Sequence, residues 1–261
     1  MSSSSGRPKL SIAIVNLGSV HFDRGNFLLR RGTDPRPALQ QAIDNYAAAL
    51  RHNPKLTIAQ SNSGLANMLA AQYALDVNED PRPWIERGLD SFARALELNP
   101  EHANAVAYSG ALKLIEAQSV MRRGGDAPAL FDEARAWVRR ANAISPDYFQ
   151  LAASIEVEAK SLAAGEAFVA RALRENAANA DTYYTAADLY RLRGDVPRAL
   201  EAIERSIAID PLKGESHALR GELLLQRGNT AEALAALDRA IALKPSARWQ
   251  WDPIREQARL P

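Results

Sequence analysis

The strongest constraint in this sequence is a repeat. Gly18, Gly64 and Gly110 stand 46 residues apart, and the same interval separates Asp34, Asp80 and Asp126, then Pro54, Pro100 and Pro146, then Ala49, Ala95 and Ala141. Tyr46, Phe92 and Val138 keep that register too. Independent landmarks sharing one period mark a chain of stacked supersecondary units, none of which can bury its apolar face alone. After Pro146 the period shortens. Pro211 and Pro245 are 34 apart, as are Ala199 and Ala233, Gly194 and Gly228, and Asp195 and Asn229. The expected organisation is a flexible leader or tag (1–8), three extended 46-residue repeats (9–146) and a degenerate short repeat (147–177). Two 34-residue repeats (178–245) and a C-terminal capping segment (246–261) follow.

Each unit reads as two antiparallel helices. In the last unit, Glu215 to Arg227 forms the first helix and Gly228 stops it, because a left-handed residue costs glycine nothing. Asn229 stands as N-cap with Glu232 three residues on, a capping-box arrangement. Ala233, Leu237 and Ala240 then form one apolar face, and Pro245 ends the second helix. The unit before has Asp195 as cap and Pro197 in the first turn, where its missing N–H is harmless. Counting from small residue to cap to proline, the extended units gain eight residues around the first helix and four around the second. That is about two turns and one turn. The fold class predicted is an all-α, right-handed solenoid of about six helix pairs, stacked continuously from the long units into the short ones.

The run from Gly228 to Pro245, with Ala233, Leu234, Leu237, Ala240, Ile241 and Leu243 between, resembles the tetratricopeptide repeat. The resemblance spans roughly residues 10–245, close in the last two units and weaker in the fourth. The extended units depart from that pattern through their elbows, Asp34-Pro35-Arg36-Pro37 and Asp80-Pro81-Arg82-Pro83. Those elbows look like the lengthened repeats in C-terminal arrays of bacterial Ser/Thr protein kinases. The family resemblance implies a scaffold that holds a protein or peptide in a concave groove lined by the first helices. The kinase resemblance implies the alternative of a regulatory segment that docks on its own kinase domain or self-associates.

Other classes find little support. With 32 basic and 31 acidic residues the formal charge is +1, which lacks the footprint of a nucleic-acid binder. No cysteine is present, so disulfides and thiolate metal sites are excluded and a reducing, cytoplasmic setting is compatible. No apolar run reaches membrane-spanning length. The stretch from Leu10 to Val20 behind Arg7 and Lys9 loosely imitates a signal peptide, but Asn16 and Gly18 interrupt it. His21, His52, His102 and His217 fall in different units with no second ligand at metal spacing. Arg193-Gly194-Asp195 spells an adhesion tripeptide but reads as helix end, terminating glycine and N-cap. No phosphate-binding glycine loop and no kinase catalytic motif occurs, so no catalytic residue, cofactor or metal is expected.

Groove candidates follow from register. Six before and one after the small residue of each first helix lie Asp181 and Asp188 in unit five, and Glu215 and Glu222 in unit six. This acidic stripe favours a basic partner segment, with Arg191 as its nearest cation. The bland reading is a solvated helix face with first-turn acids favoured by the helix dipole. In units one to three the equivalents are Ile12 and Ser19, Ile58 and Leu65, and Asn104 and Ala111, a neutral or apolar surface. Tyr184 and Tyr108, one turn from groove positions, are the aromatic anchors expected. Trp249 and Trp251 should cover the last repeat, before a short charged helix starting at Asp252-Pro253. Ile12, Ile14 and Val15 begin unit one with little ahead of them, which suggests a sticky, self-associating N-terminal face on a fragment of something longer.

Overall fold

The computed structural model describes residues 6–259, with side chains from residue 9 onward. The expected leader lies outside the described residues as far as Ser5, and the first helix already includes Gly6. Among the described residues there are thirteen α-helices and no strand. They run α1 (Gly6–Arg30), α2 (Arg36–His52), α3 (Thr57–Asp76), α4 (Arg82–Leu98), α5 (Ala103–Arg122) and α6 (Pro128–Ile144). Shorter ones follow: α7 (Phe149–Glu158), α8 (Leu162–Glu175), α9 (Ala180–Leu192), α10 (Val196–Ile209), α11 (Gly214–Gln226), α12 (Thr230–Leu243) and α13 (Arg248–Gln257). The chain is an all-α solenoid, and it divides into two compact units, one built on α1–α6 and the other on α7–α13.

The extra length of the long repeats goes mostly into helix. α3 and α5 have 20 residues where α9 and α11 have 13, and α4 and α6 have 17 where α10 and α12 have 14. Of the twelve added residues, seven therefore lengthen the first helix, three lengthen the second, and two enter the elbow. Within each unit, first helices of successive pairs touch directly (α3 on α5, α7 on α9, α9 on α11), whereas successive second helices are held apart. This asymmetry puts the first helices on the inner face.

The sequence landmarks turn out to be contacts. A Cβ added to Gly64 would sit 2.5 Å from the Phe92 ring, one on Gly18 2.6 Å from Tyr46, and one on Gly110 3.0 Å from Val138. Tyr46 and Phe92 are fully buried. The glycine of the first helix and the bulky residue 28 positions later are thus one close-packed pair. In the short repeats the same pair is Ala187 with Ile203, and Gly221 with Leu237, each 16 apart.

Every elbow turns on a left-handed residue: Gly32, Asn78, Gly124, Lys160, Gly194 and Gly228. At five of them the following N–H bonds back to a carbonyl five residues earlier, such as Asp195 to Tyr190 and Ser161 to Glu156, which closes the first helix. Lys160 is the costly exception, in the degenerate repeat. After the turn, Asp195 caps α10 by accepting from the Arg198 N–H at 3.2 Å. Asn229 occupies the cap of α12 but its side chain makes no capping bond, so the expected capping box does not form.

In the long repeats the Asp-Pro-Arg-Pro elbow is a clamp. Asp34 accepts from the Arg36 backbone N–H at 2.9 Å and pairs with its guanidinium at 2.7 Å, and Asp80 does the same with Arg82 at 3.1 and 2.6 Å. The hydrogen bond from Arg36 holds the Asp34 carboxyl below its ordinary range despite some burial. Elbows are also tied to each other. Arg36 reaches Glu79 at 2.6 Å and lies over the Tyr73 ring, while Arg123 reaches Asp80 at 3.1 Å.

Three expectations at the two ends need correcting. Trp251 is buried against α12, but Trp249 is 40% exposed, so one tryptophan covers the last pair. The terminal helix starts at Arg248, with Pro253 inside it, because the stretch from Pro245 to Ala247 forms a turn of 3₁₀ helix that feeds straight into it. At the other end Val15 is buried between Tyr46, Ala42 and Ala59 and belongs to the core of the first pair.

Candidate functional site

The inner face of the second unit gathers most of the residues singled out from sequence. On α9, Asp181, Tyr184, Asp188 and Arg191 follow at steps of three or four and share one face. Glu215 and Glu222, two turns apart on α11, lie alongside, since α9 packs on α11. Tyr108 is not part of this group. It sits on α5 in the first unit, half-buried and stacked on Phe92 at 6.4 Å, and burial raises its phenol above the ordinary tyrosine range. Its ring is spent on packing.

The stripe is not a row of free carboxylates. Lys213 bonds Asp181 at 2.6 Å, Lys244 bonds Glu215 at 2.5 Å, and Arg191 grips one oxygen of Asp188 at 2.6 and 2.8 Å. Arg191 was expected, but the two lysines were not. Lys213 precedes α11 and Lys244 follows α12, so both come from the connections between helix pairs and lie 32 and 29 residues from their partners. Each lies within two residues of a unit-ending proline, Pro211 or Pro245, and that position is the only signal the sequence offers.

Charge and burial decide what each group can do. Burial works against ionised Glu215, yet Lys244 and Lys213 outweigh it and hold its pKa down to about 2. Tyr184 is the hub. Burial first, then the carboxylates of Asp188, Glu215, Glu158 and Glu222, push its phenol well above 10, and the Lys213 ammonium lies 5.2 Å from its ring centre. Glu222 makes no ion pair or hydrogen bond among the described residues. Its pKa is raised by burial, with Arg191 opposing and Asp188 adding to the rise. The candidate carboxylates Asp181, Asp188, Glu215 and Glu222 thus face three cations, Arg191, Lys213 and Lys244, which leaves the acidic excess at Glu222.

In the first unit, Ile12, Ile58 and Asn104 are exposed and Ser19, Leu65 and Ala111 half-buried, so the corresponding surface is uncharged. Sequence reasoning did not find a cleft of about 480 Å³ between α8, α9 and α10, where Tyr183 and Tyr190 face Arg198, Glu201 and Arg205. Among the described residues no cluster of histidine and carboxylate side chains is placed to hold a metal ion. No described helix is long and apolar enough to cross a membrane.

The sequence profile of the tetratricopeptide repeat matches residues 184–248, the two most regular repeats. No curated protein sequence matches the chain. Solved structures do. A tetratricopeptide repeat protein from Parabacteroides merdae aligns at a TM-score of 0.69 and 17% identity, over 98% of this chain and 86% of its own. PilF of Pseudomonas aeruginosa aligns at 0.63 and 16%, over 97% of this chain and 100% of its own. The human IFIT1 dimer with m7Gppp-AAAA aligns at 0.65 and 15%, over 82% of this chain but 47% of its own. At these identities the likeness is one of fold. Residues 184–248 thus carry the tetratricopeptide repeat, and nearly the whole chain shares the fold of proteins built from it.

Proposed function

We propose that the chain is a protein-binding scaffold whose inner face in the second unit receives a protein or peptide segment carrying a basic side chain. The observation that carries this reading is Glu222. It is a half-buried carboxylate with no ion pair of its own, coupled electrostatically to Asp188, one oxygen of which is unused, and to Tyr184. A lysine or arginine placed there would form a charge-assisted bond and relieve an unfavourable ionisation. Asp181 and Glu215 are already neutralised, so the reading narrows from a four-carboxylate stripe to one receptor point. Catalysis has no place in it, because affinity comes from a preformed surface and a few anchors. The acidic excess speaks against RNA as the occupant, although IFIT1 shares the fold.

The alternative, a regulatory segment of a larger bacterial Ser/Thr kinase, rests on the Asp-Pro-Arg-Pro elbows. Those elbows already have a local role as ion-pair clamps, so the motif needs no kinase to explain it.

The test is an array of peptides differing in one central Lys, Gln or Glu, probed with wild type and with Glu222→Gln/Asp188→Asn. Lysine peptides should bind several-fold tighter than glutamate peptides, and the double variant should lose that preference. Affinity should rise with pH as Glu222 ionises and fall with salt. Unchanged selectivity in the double variant at low salt would sink the reading.

A further inference from the structure

The first helix carries two apolar stripes, and among the described residues only one of them is buried. Val15, Phe22 and Leu29 point into the first pair, next to the buried small residues Ser11, Gly18 and Gly25. On the opposite side lie Leu10, Ala13, Leu17, Val20, Arg24 and Phe27, a strict three-four spacing over five turns. The large apolar members of that second stripe are about half exposed or more, with Val20 at 63% and Phe27 at 58%.

The neighbouring repeats show what this register is for. The residues 46 positions on from Ala13, Val20 and Phe27 are Ala59, Ala66 and Tyr73, and all three are buried. Ala59 is covered by Val15, Tyr46 and Ala49, and Ala66 by Leu39 and Phe22, all from the preceding helix pair. One repeat further, Ala105 and Leu112 are buried against Phe92 and Ala95 of α4. The face is built to be covered by apolar helix.

We propose that a second copy of this chain covers it, with two α1 helices packed antiparallel about a twofold axis between Leu17 and Val20. A sustained three-four stripe is a coiled-coil seam, complementary to itself. Charge fixes the direction. Parallel packing sets Arg24 against Arg24 in the seam. Antiparallel packing sets it across from Ala13, pairs Leu10 with Phe27 and Leu17 with Val20, and places Asn16 near Asp23 on the flank. Two such faces bury on the order of 1,000 Å², the size at which an interface becomes specific. Head-to-tail growth would need an open apolar face on the last described pair, and there Trp251 and Ile254 of α13 already pack on α12. The contact is therefore isologous and closed. It does not depend on the groove reading.

The experiment is sedimentation of the full chain across a wide concentration range, with wild type and with Leu17→Glu/Val20→Glu. Wild type should run at twice the chain mass, and the variant, altered only at exposed positions, should run as a monomer with an unchanged circular dichroism melt. The chain has no cysteine, so single cysteines report geometry directly. Ala13→Cys mixed with Arg24→Cys should form a disulfide between copies, while Ala13→Cys alone should not. A wild-type monomer throughout, a dimer indifferent to the glutamates, or self-linking of Ala13→Cys would each overturn the proposal.

Discussion

The two units solve one packing problem at different sizes. In the first two long repeats a glycine faces an aromatic ring, Gly18 on Tyr46 and Gly64 on Phe92, and in the third Gly110 faces Val138, while the short repeats use Ala187 with Ile203 and Gly221 with Leu237. Two further turns on the first helix and most of a turn on the second give each long pair more of its own interface, filled by alanines and one large ring. The short pairs have less to bury, and their inner face carries charge instead. The lesson is that lengthening a repeat moves stability into the pair and leaves its inner face free to be uncharged, whereas the short pairs build a polar surface held by lysines from the connections.

The largest effects should come from the packed pairs. Phe92→Ala leaves a ring-sized void and should cost about 3–5 kcal/mol, read as lost hydrogen-exchange protection across α3, α4 and α5. Gly64→Ala alone should cost about 1–3 kcal/mol through overpacking. Combined with Phe92→Ile it recreates the Ala–Ile pair of the short repeats, and the double variant should lose clearly less than the two single costs added. Strict additivity would break the comparison, because it would mean that the two positions do not share one contact.

The second unit should be distinguished by acid. Glu215 keeps a pKa of about 2 against an ordinary value of 4.5. A carboxylate with a lowered folded pKa contributes stability that is complete above its unfolded pKa and fades as pH falls from there toward the folded value. Protection of α11 and α12 should therefore weaken between about pH 4.5 and pH 2. Lys244→Met should cost about 2 kcal/mol at neutral pH, since it strips a buried carboxylate of its hydrogen-bonded cation. The same variant should flatten the acid response. A variant as stable as wild type, with an unaltered acid profile, would show that Lys213 alone suffices.

How much of this was legible is uneven for a physical reason. Landmarks set by the backbone, such as the proline ends, the elbow glycines and the small–large pairs, recur at the repeat period and could be read from one sequence. Contacts between connections and faces do not recur. Lys213 and Lys244 occupy different registers, and counting positions along the first helices misses both. At the N-terminal helix the sequence reading is out of phase. Val15 is one of the buried stripe, and the exposed one runs through Leu17 and Val20, which only the full spacing from Leu10 to Phe27 distinguishes.

The smallest expected effects lie at the elbows, and they separate two arginines that the motif makes equivalent. Arg36 pairs with Asp34, bridges to Glu79 of the next elbow and covers the Tyr73 ring, with its side chain 28% exposed. Arg82 pairs with Asp80 as well, but it is 63% exposed, and Asp80 keeps a second partner in Arg123. Exposed ion pairs contribute little because water and salt screen them. Arg36→Ala removes packing on an aromatic face as well as charge, and should cost about 1 kcal/mol, less in high salt. Arg82→Ala should leave the melt unchanged. Equal losses for the two variants would mean that the Asp–Arg clamp itself stabilises the elbow. Inequality would assign the stabilisation to the contacts of Arg36 with Glu79 and Tyr73 of the following repeat, which a single repeat cannot supply.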